Sequence, residues 1–199
     1  MLIRPAVRDD VNAVLEISNW AAHHTAANFA IEPESLESWL ESFDETNLMY
    51  PWLVATDDSH QSQAATDHPG DVIGFAKASP HRGRCAYAWT AEVSVYVHPD
   101  HHGQGVGSSL YSKLIPILKA QGYITLIAGI TTPNPASEKL HESCGFKRIG
   151  AFHRVGWKFN RWHDVSYWET FLRDGADPPE KIRSVAEVID AFISAPAER

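Results

Sequence analysis

Apolar positions recur along this chain with two periods, and each change of period marks an element. Residues 2–6 (LIRPA) read as a first strand. Val11, Val14, Leu15 and Ile17 share one helical face, with Asp9 and Asp10 placed to cap that helix. His23 to Phe29 breaks the pattern and reads as a loop or a second helical turn. Pro33 and Glu34 open another helix, in which Leu36, Trp39, Leu40 and Phe43 recur at helical spacing. The blocks 51–56, 72–79 and 87–97 read as strands, and the polar run 57–71 as a mobile surface connection between the first two. From Gly103 a loop leads into a helix ending at Gln121, with Leu110, Leu114 and Leu118 on one face and Gly122 as the stop. Residues 126–131 are a strand, 135–143 a helix stopped by Cys144-Gly145, and 146–152 and 165–172 closing strands around a turn at Asn160 and Arg161. The order βααβββαβαββ predicts an α/β fold, a central sheet of mixed strand direction with helices on both faces.

Residues 1–172 therefore read as one domain. Residues 173–199 follow as a linker and an amphipathic helix carrying Ile182, Val185, Val188, Ile189 and Phe192. A chain of 199 residues, 44% apolar, holds enough for one sizeable core. Its net charge of −8 argues against a nucleic-acid partner, which needs a basic face. Cys85 and Cys144 make no disulfide framework and read as free thiols of a reducing cytoplasm. No leader precedes the first strand, and no apolar run approaches the roughly 20 residues of a membrane helix. A soluble, cytoplasmic protein without membrane contact is expected.

The chemistry concentrates between Ala86 and Leu110 (AYAWTAEVSVYVHPDHHGQGVGSSL), where a strand feeds a glycine-rich loop and then a helix. Unpaired N–H groups and the positive dipole end at such a helix start form a site for phosphate oxygens. A Walker loop needs Gly-Lys-Ser/Thr, which is absent. A Rossmann loop follows the first strand of a parallel unit and has an acid at the end of the next strand, which is also absent. In the preceding strand, Glu92, Ser94 and Tyr96 share one face, and Val93, Val95 and Val97 the other. Burial of Glu92 in a central strand raises its pKa toward the range of a general base. Arg82 and Arg84 suit oxyanions of a substrate. His23-His24 lacks a third ligand, so no metal is expected. His163 reads as a structural partner of Asp164, and Cys144 as a packing residue at a helix end.

These residues carry a resemblance. The segments ANF (27–29), YPWLVA (50–55), AYAWTAE (86–92), VYV (95–97), GQGVGSSLY (103–111), AQGY (120–123), PN (133–134), LHESCGF (140–146) and WHDVSYW (162–168) are together similar to the GNAT N-acetyltransferases. They most resemble the branch that acetylates phosphinothricin and methionine sulfoximine or sulfone. The resemblance implies a GNAT fold with a splayed cofactor cleft and acetyl-CoA as co-substrate. It implies a small amino acid as acceptor, direct transfer to its α-amine, and a homodimer, with Trp157, Phe159, Trp162 and Trp168 as an exposed contact.

Residue by residue, the resemblance implies Glu92 as general base. It sets His141 where many GNAT enzymes carry a tyrosine that protonates the leaving thiolate and where the phosphinothricin branch meets its substrate; His141 and Tyr111 are the candidate acids. It places Val95, Val97 and Asn134 on the pantetheine arm. His102, Gly103, Gly105, Val106, Gly107 and Ser108 fall on the pyrophosphate, and Phe29, Arg82, Arg84, Ser94, Tyr96 and Val165 at the acceptor. His102, Ser94, Arg82, Ala88 and Cys85 depart from the branch's usual residues, so the acceptor is left open within that class. Two alternatives stand beside this reading: a GNAT enzyme for another amine, which would want an acidic pocket, and a non-catalytic CoA-binding module.

Overall fold

A computed structural model describes residues 1–57, 71–174 and 178–193. Residues 58–70 of the expected 57–71 connection and part of the expected linker lie outside the described residues. The strands are β1 (Leu2–Pro5), β2 (Trp52–Asp57), β3 (Asp71–Pro80), β4 (Thr90–Val97), β5 (Thr125–Thr132), β6 (Lys147–Lys158) and β7 (Arg161–Phe171). The helices are α1 (Val11–His24), α2 (Leu36–Thr46), α3 (Val106–Gln121), α4 (Pro135–Ser143) and a four-residue α5 (Asp190–Ile193). One seven-stranded sheet runs in the order β1-β2-β3-β4-β5-β7-β6. Its neighbours are antiparallel except β4 and β5, which are parallel. This is the mixed sheet that the pattern of periods predicts.

Each face of the sheet has its own core. On one, Trp52, Val54 and Phe75 meet Val14 and Ile17 of α1 and Trp39 and Phe43 of α2. On the other, Leu110, Leu114 and Leu118 of α3 lie fully buried over Leu53, Ala76, Ala78 and Val93. Alanines on that face take little room, so a helix carrying leucines and Tyr111 seats close to the strands.

The β4–β5 pair positions the site. Its ladder holds only Thr90↔Thr125, Ala91↔Leu126 and Glu92↔Ile127. Past Glu92, β4 stays on β3 and β5 stays on β7, so a wedge opens in mid-sheet.

Several local expectations change. Asp10 does not cap α1. Its carboxylate takes both ends of the Arg4 guanidinium, at 2.6 and 2.7 Å, and the Val7 N–H at 2.7 Å. A bidentate cation outbids a helix amide for those oxygens. The strand expected from Tyr87 starts at Thr90, because Cys85–Tyr87 form a single 3-10 turn. The last two strands are longer than expected and make a twisted hairpin. Its register slips between Phe152 and Gly156, where Arg154 takes a positive φ. Trp168 is buried rather than exposed, whereas Trp157, Phe159 and Trp162 are exposed as expected.

The C-terminal apolar pattern is not one long helix. Ile182, Ile189 and Phe192 pack against the α3-side core, and Val188 is buried in it. The segment is held as a strap instead. Arg183 N–H donates to Gln121 O, and Val185 N–H to Leu48 O, both at 2.8 Å. The buried Gln121 amide donates to Met49 O and Arg183 O at 2.9 Å. Backbone bonds to the body of the fold hold its first part, and helical turns begin only at Val185, whose O accepts from Ile189 N–H at 3.0 Å.

Candidate active site

The wedge leads into a cleft of about 790 Å³. Val93–Val97 of β4 form one side and Gly129–Thr132 of β5 the other. The 101–108 turn, the start of α3, one face of α4, and the end of α1 with Thr25–Ala27 complete it. Arg161 and His163 reach it from β7. The β4 backbone edge along this stretch has no strand partner on the β5 side, so its polar groups are open to a ligand.

At one end the cleft meets the N-terminus of α3. Gly105 is the N-cap, in the left-handed region at φ 80°, and no side chain caps the helix. The first amides of α3 are thus uncapped and lie on the cleft lining. Asparagine or serine there would have filled this place with its own oxygen. Gly107 faces Leu140, whose Cδ2 lies 3.0 Å from where a Cβ would sit, so the turn abuts α4 tightly. His102 Nε2–H donates to Val97 O at 2.9 Å, tying the turn back to β4. Asn134 caps α4 by accepting the Ser137 N–H at 3.2 Å, which leaves its amide N–H groups for the cleft. Such a row of uncapped amides is chemistry for a diphosphate, and the open strand edge beside it suits an amide-bearing arm.

Deeper in, Tyr111 of α3 and His141 of α4 face each other. His141 Nδ1 lies 2.8 Å from the Ser137 carbonyl, which can only accept, so Nδ1 carries the proton. Nε2 therefore accepts from the Tyr111 hydroxyl at 3.1 Å. Burial lowers the His141 pKa, with the Ser137 bond opposing it in part. Burial first, and then the neighbouring Cys144, push the Tyr111 phenol above its ordinary value. Both are neutral at pH 7, and Tyr111 serves as a hydrogen-bond donor.

The His141 shift has a sign that stability can report. A depressed folded pKa leaves full stability above the ordinary imidazole value near 6.5. That stability is lost as pH falls from there toward the folded pKa, at up to about 1.4 kcal/mol per pH unit. A His141→Gln protein is expected to show a flatter fall of Tm between pH 7 and 5 than the parent, measured by differential scanning calorimetry. An identical slope contradicts the buried neutral assignment.

Glu92 departs from expectation. It sits on the sheet face of Ser94 and Tyr96, but its side chain is 41% exposed, and it is not among the residues lining the cleft. The reason lies in coverage. Helices α1 and α2 pack over the half of that face holding Phe75 and Tyr96, and stop short of the end where Glu92 lies. Its Oε2 is 3.7 Å from His81 Nδ1, which is buried without a hydrogen-bond partner among the described residues. The carboxylate stands where β4 and β5 part, one residue before the lining begins.

The other expected positions divide. Ser94, Tyr96, Val95, Val97, His102, Gly103, Gly105, Val106, Gly107, Ser108, Tyr111, Asn134 and His141 all line the cleft. Arg82 and Arg84 are exposed in the loop before β4, outside the lining, with the Arg82 guanidinium 5.5 Å from the Tyr87 ring. Phe29 and Val165 also lie behind the lining: Phe29 packs on Gly156, and Val165 beside Gly129. His163 does not pair with Asp164. It is buried, lines the cleft and donates from Nε2 to Lys158 O at 3.0 Å, while Asp164 takes His153 and the Arg154 N–H. Cys144 is half-buried against the core, and burial raises its thiol pKa. Among the described residues, no three His, Cys, Asp or Glu side chains gather as metal ligands, and no helix is long and apolar enough to cross a membrane.

Sequence reasoning missed Trp20, Arg161, His163 and the Thr25–Ala27 loop as parts of this cleft. The loop's traces were the interrupted helical period at His23 and the ANF segment at 27–29.

Comparison with known proteins agrees with this geometry. Residues 20–146 match the Acetyltransferase (GNAT) family. The chain is 36% identical to a phosphinothricin N-acetyltransferase of Streptomyces viridochromogenes over 94% of its own length and 95% of the relative's. It is 35% identical to an L-methionine sulfoximine/L-methionine sulfone acetyltransferase of Salmonella typhimurium, over 89% and 98% respectively. A Salmonella typhimurium acetyltransferase solved with its cofactor acetyl-CoA superposes with a TM-score of 0.79 at 35% identity, over 87% of this chain and 95% of that one.

Proposed function

Because the chain belongs to the acetyltransferase (GNAT) family, we propose that it moves the acetyl group of acetyl-CoA directly onto the α-amine of a small amino acid. The proposed acceptors are of the phosphinothricin, methionine sulfoximine or methionine sulfone type, after the relatives that bear those names. One observation carries the reading: the parallel strand pair β4–β5 parts just past Glu92 and opens onto the uncapped start of α3.

Acetyl-CoA is consumed and so is a co-substrate. Its diphosphate fits the amides from Gly103 to Ser108, and its amide-bearing arm fits the open edge of β4 opposite Asn134. Glu92 takes a proton from the acceptor ammonium, directly or through one water, and the freed nitrogen attacks the thioester carbonyl. Open β4 amides between Val95 and Val97 face the resulting oxyanion. The C–S bond then breaks. The thiolate leaves and takes up the second proton shed by the attacking nitrogen, and the Tyr111 hydroxyl turns its one O–H from His141 Nε2 to the departing sulfur. Arg82 and Arg84 stand on the loop that also carries His81, Glu92's neighbour, and supply countercharge for the acceptor's carboxylate and second anionic or polar group.

The test is thiol release from acetyl-CoA across a panel of acceptors. Methionine sulfone, methionine sulfoximine and phosphinothricin are expected to release thiol. Spermidine and kanamycin are expected to give none, for want of an acidic pocket. Preference for the polyamine would move the enzyme to another acceptor class, and silence across the panel would make this a CoA-binding module.

We also propose a cytoplasmic homodimer joined through the exposed Trp157, Phe159 and Trp162 of the β6–β7 hairpin. Sedimentation at micromolar concentration should give twice the chain mass, and a monomeric mass refutes it.

A further inference from the structure

Lys158 ends β6 with its side chain turned inward, and no carboxylate pairs with it among the described residues. Its ammonium donates instead to three carbonyl oxygens: Ala22, Asn28 at 2.6 Å and Ala30 at 2.8 Å. Three donors meet three acceptors, which is what keeps a buried cation tolerable. Ala22 lies in the last turn of α1, whose carbonyls lack helical partners and carry the negative dipole end.

We propose that Lys158 is a positioning residue for the acceptor wall of the cleft. The loop it holds, 25–30, supplies Thr25, Ala26 and Ala27 to the lining. Its own carbonyl accepts from His163, which lines the cleft from β7. One residue thus fastens two parts of the wall, from different elements, together. A second contact closes the same seam. The Phe29 ring packs against Gly156, where an added Cβ would stand 2.4 Å from its Cε2. The loop is further tied to β4, as the Tyr96 hydroxyl donates to Ala27 O at 3.3 Å. Tyr96 shares the sheet face of Glu92 and is one of the positions that the resemblance sets at the acceptor, so the loop walls the cleft on that face. The amino-acid acceptor, rather than the CoA arm along β4 and α3, is what it shapes.

This inference rests on the acetyl-transfer reading, and the experiment separates the two. Lys158→Met keeps the stem and removes the three donors. Gly156→Ala leaves the ammonium in place and displaces the Phe29 ring. Both variants are expected to raise the acceptor KM at least fivefold, with kcat and the acetyl-CoA KM within threefold of the parent. Hydrogen exchange over residues 25–31 should quicken in Lys158→Met while α3 amides stay protected. A smaller change in acceptor KM overturns the proposal, as does a fall of all kinetic constants in step with Tm. If Lys158→Met does not fold, Gly156→Ala carries the kinetic test. If the parent releases no thiol, the acetyl-transfer reading falls, and unchanged exchange at 25–31 then overturns the clamp on its own.

Discussion

A Glu92→Gln enzyme is expected to lose about 10² to 10³-fold in kcat, the usual worth of a positioned proton acceptor. The amide is nearly isosteric but cannot take the ammonium proton, so the acceptor stays charged and unreactive. Binding of CoA should be unchanged within twofold, because Glu92 lies ahead of the lining that holds the cofactor. Stability should also hold, since a side chain 41% exposed gives up little on this exchange. Thiol-release kinetics with a calorimetric CoA titration give both numbers. A kcat within threefold of the parent removes Glu92 as the base. A matching loss of CoA affinity assigns it to binding instead.

The second large effect falls on the phosphate end. Gly105 holds φ 80° at the N-cap of α3. A β-branched residue there costs of order 1–3 kcal/mol in backbone strain. Space is not the obstacle, since no atom lies within 4 Å of an added Cβ. Gly105→Val should relieve its strain by turning the local backbone, and the amides that follow would turn with it. An acetyl-CoA KM raised by about tenfold or more is expected, corresponding to about 1.4 kcal/mol of lost binding, with the acceptor KM little changed. An unchanged acetyl-CoA KM would show that the diphosphate does not rest on this turn.

Much of the fold was legible because the apolar period tracks the two cores so closely. Val14, Ile17, Trp39 and Phe43 recur at helical spacing and all meet the same sheet face. Leu110, Leu114 and Leu118 do the same on the other. The β6–β7 hairpin was harder to read. Arg154, Phe159 and Asn160 adopt positive φ, and neither arginine nor phenylalanine announces that as glycine does. The tail was half legible: Ile189 and Phe192 do lie in helical turns, but Ile182 precedes them on a strap whose Arg183 and Val185 amides go to Gln121 and Leu48.

In the site, the glycine turn and the alternation along β4 were readable, since backbone geometry follows directly from residue type there. The exposure of Glu92 was not, because it depends on how far α1 and α2 extend over a sheet face that no local pattern describes. Lys158 was equally silent. A lysine at a strand end reads as solvated, and only the arrival of the Ala22, Asn28 and Ala30 carbonyls makes it a buried anchor.

The most direct test of the central claim is a crystal structure of the protein with CoA and methionine sulfone bound together. The account predicts diphosphate oxygens on the amides between Gly103 and Ser108, the thiol emerging between β4 and β5, and the acceptor nitrogen within reach of Glu92, directly or across one water. A cofactor lying outside the β4–β5 wedge, or an acceptor nitrogen on the sheet face away from Glu92, would contradict it.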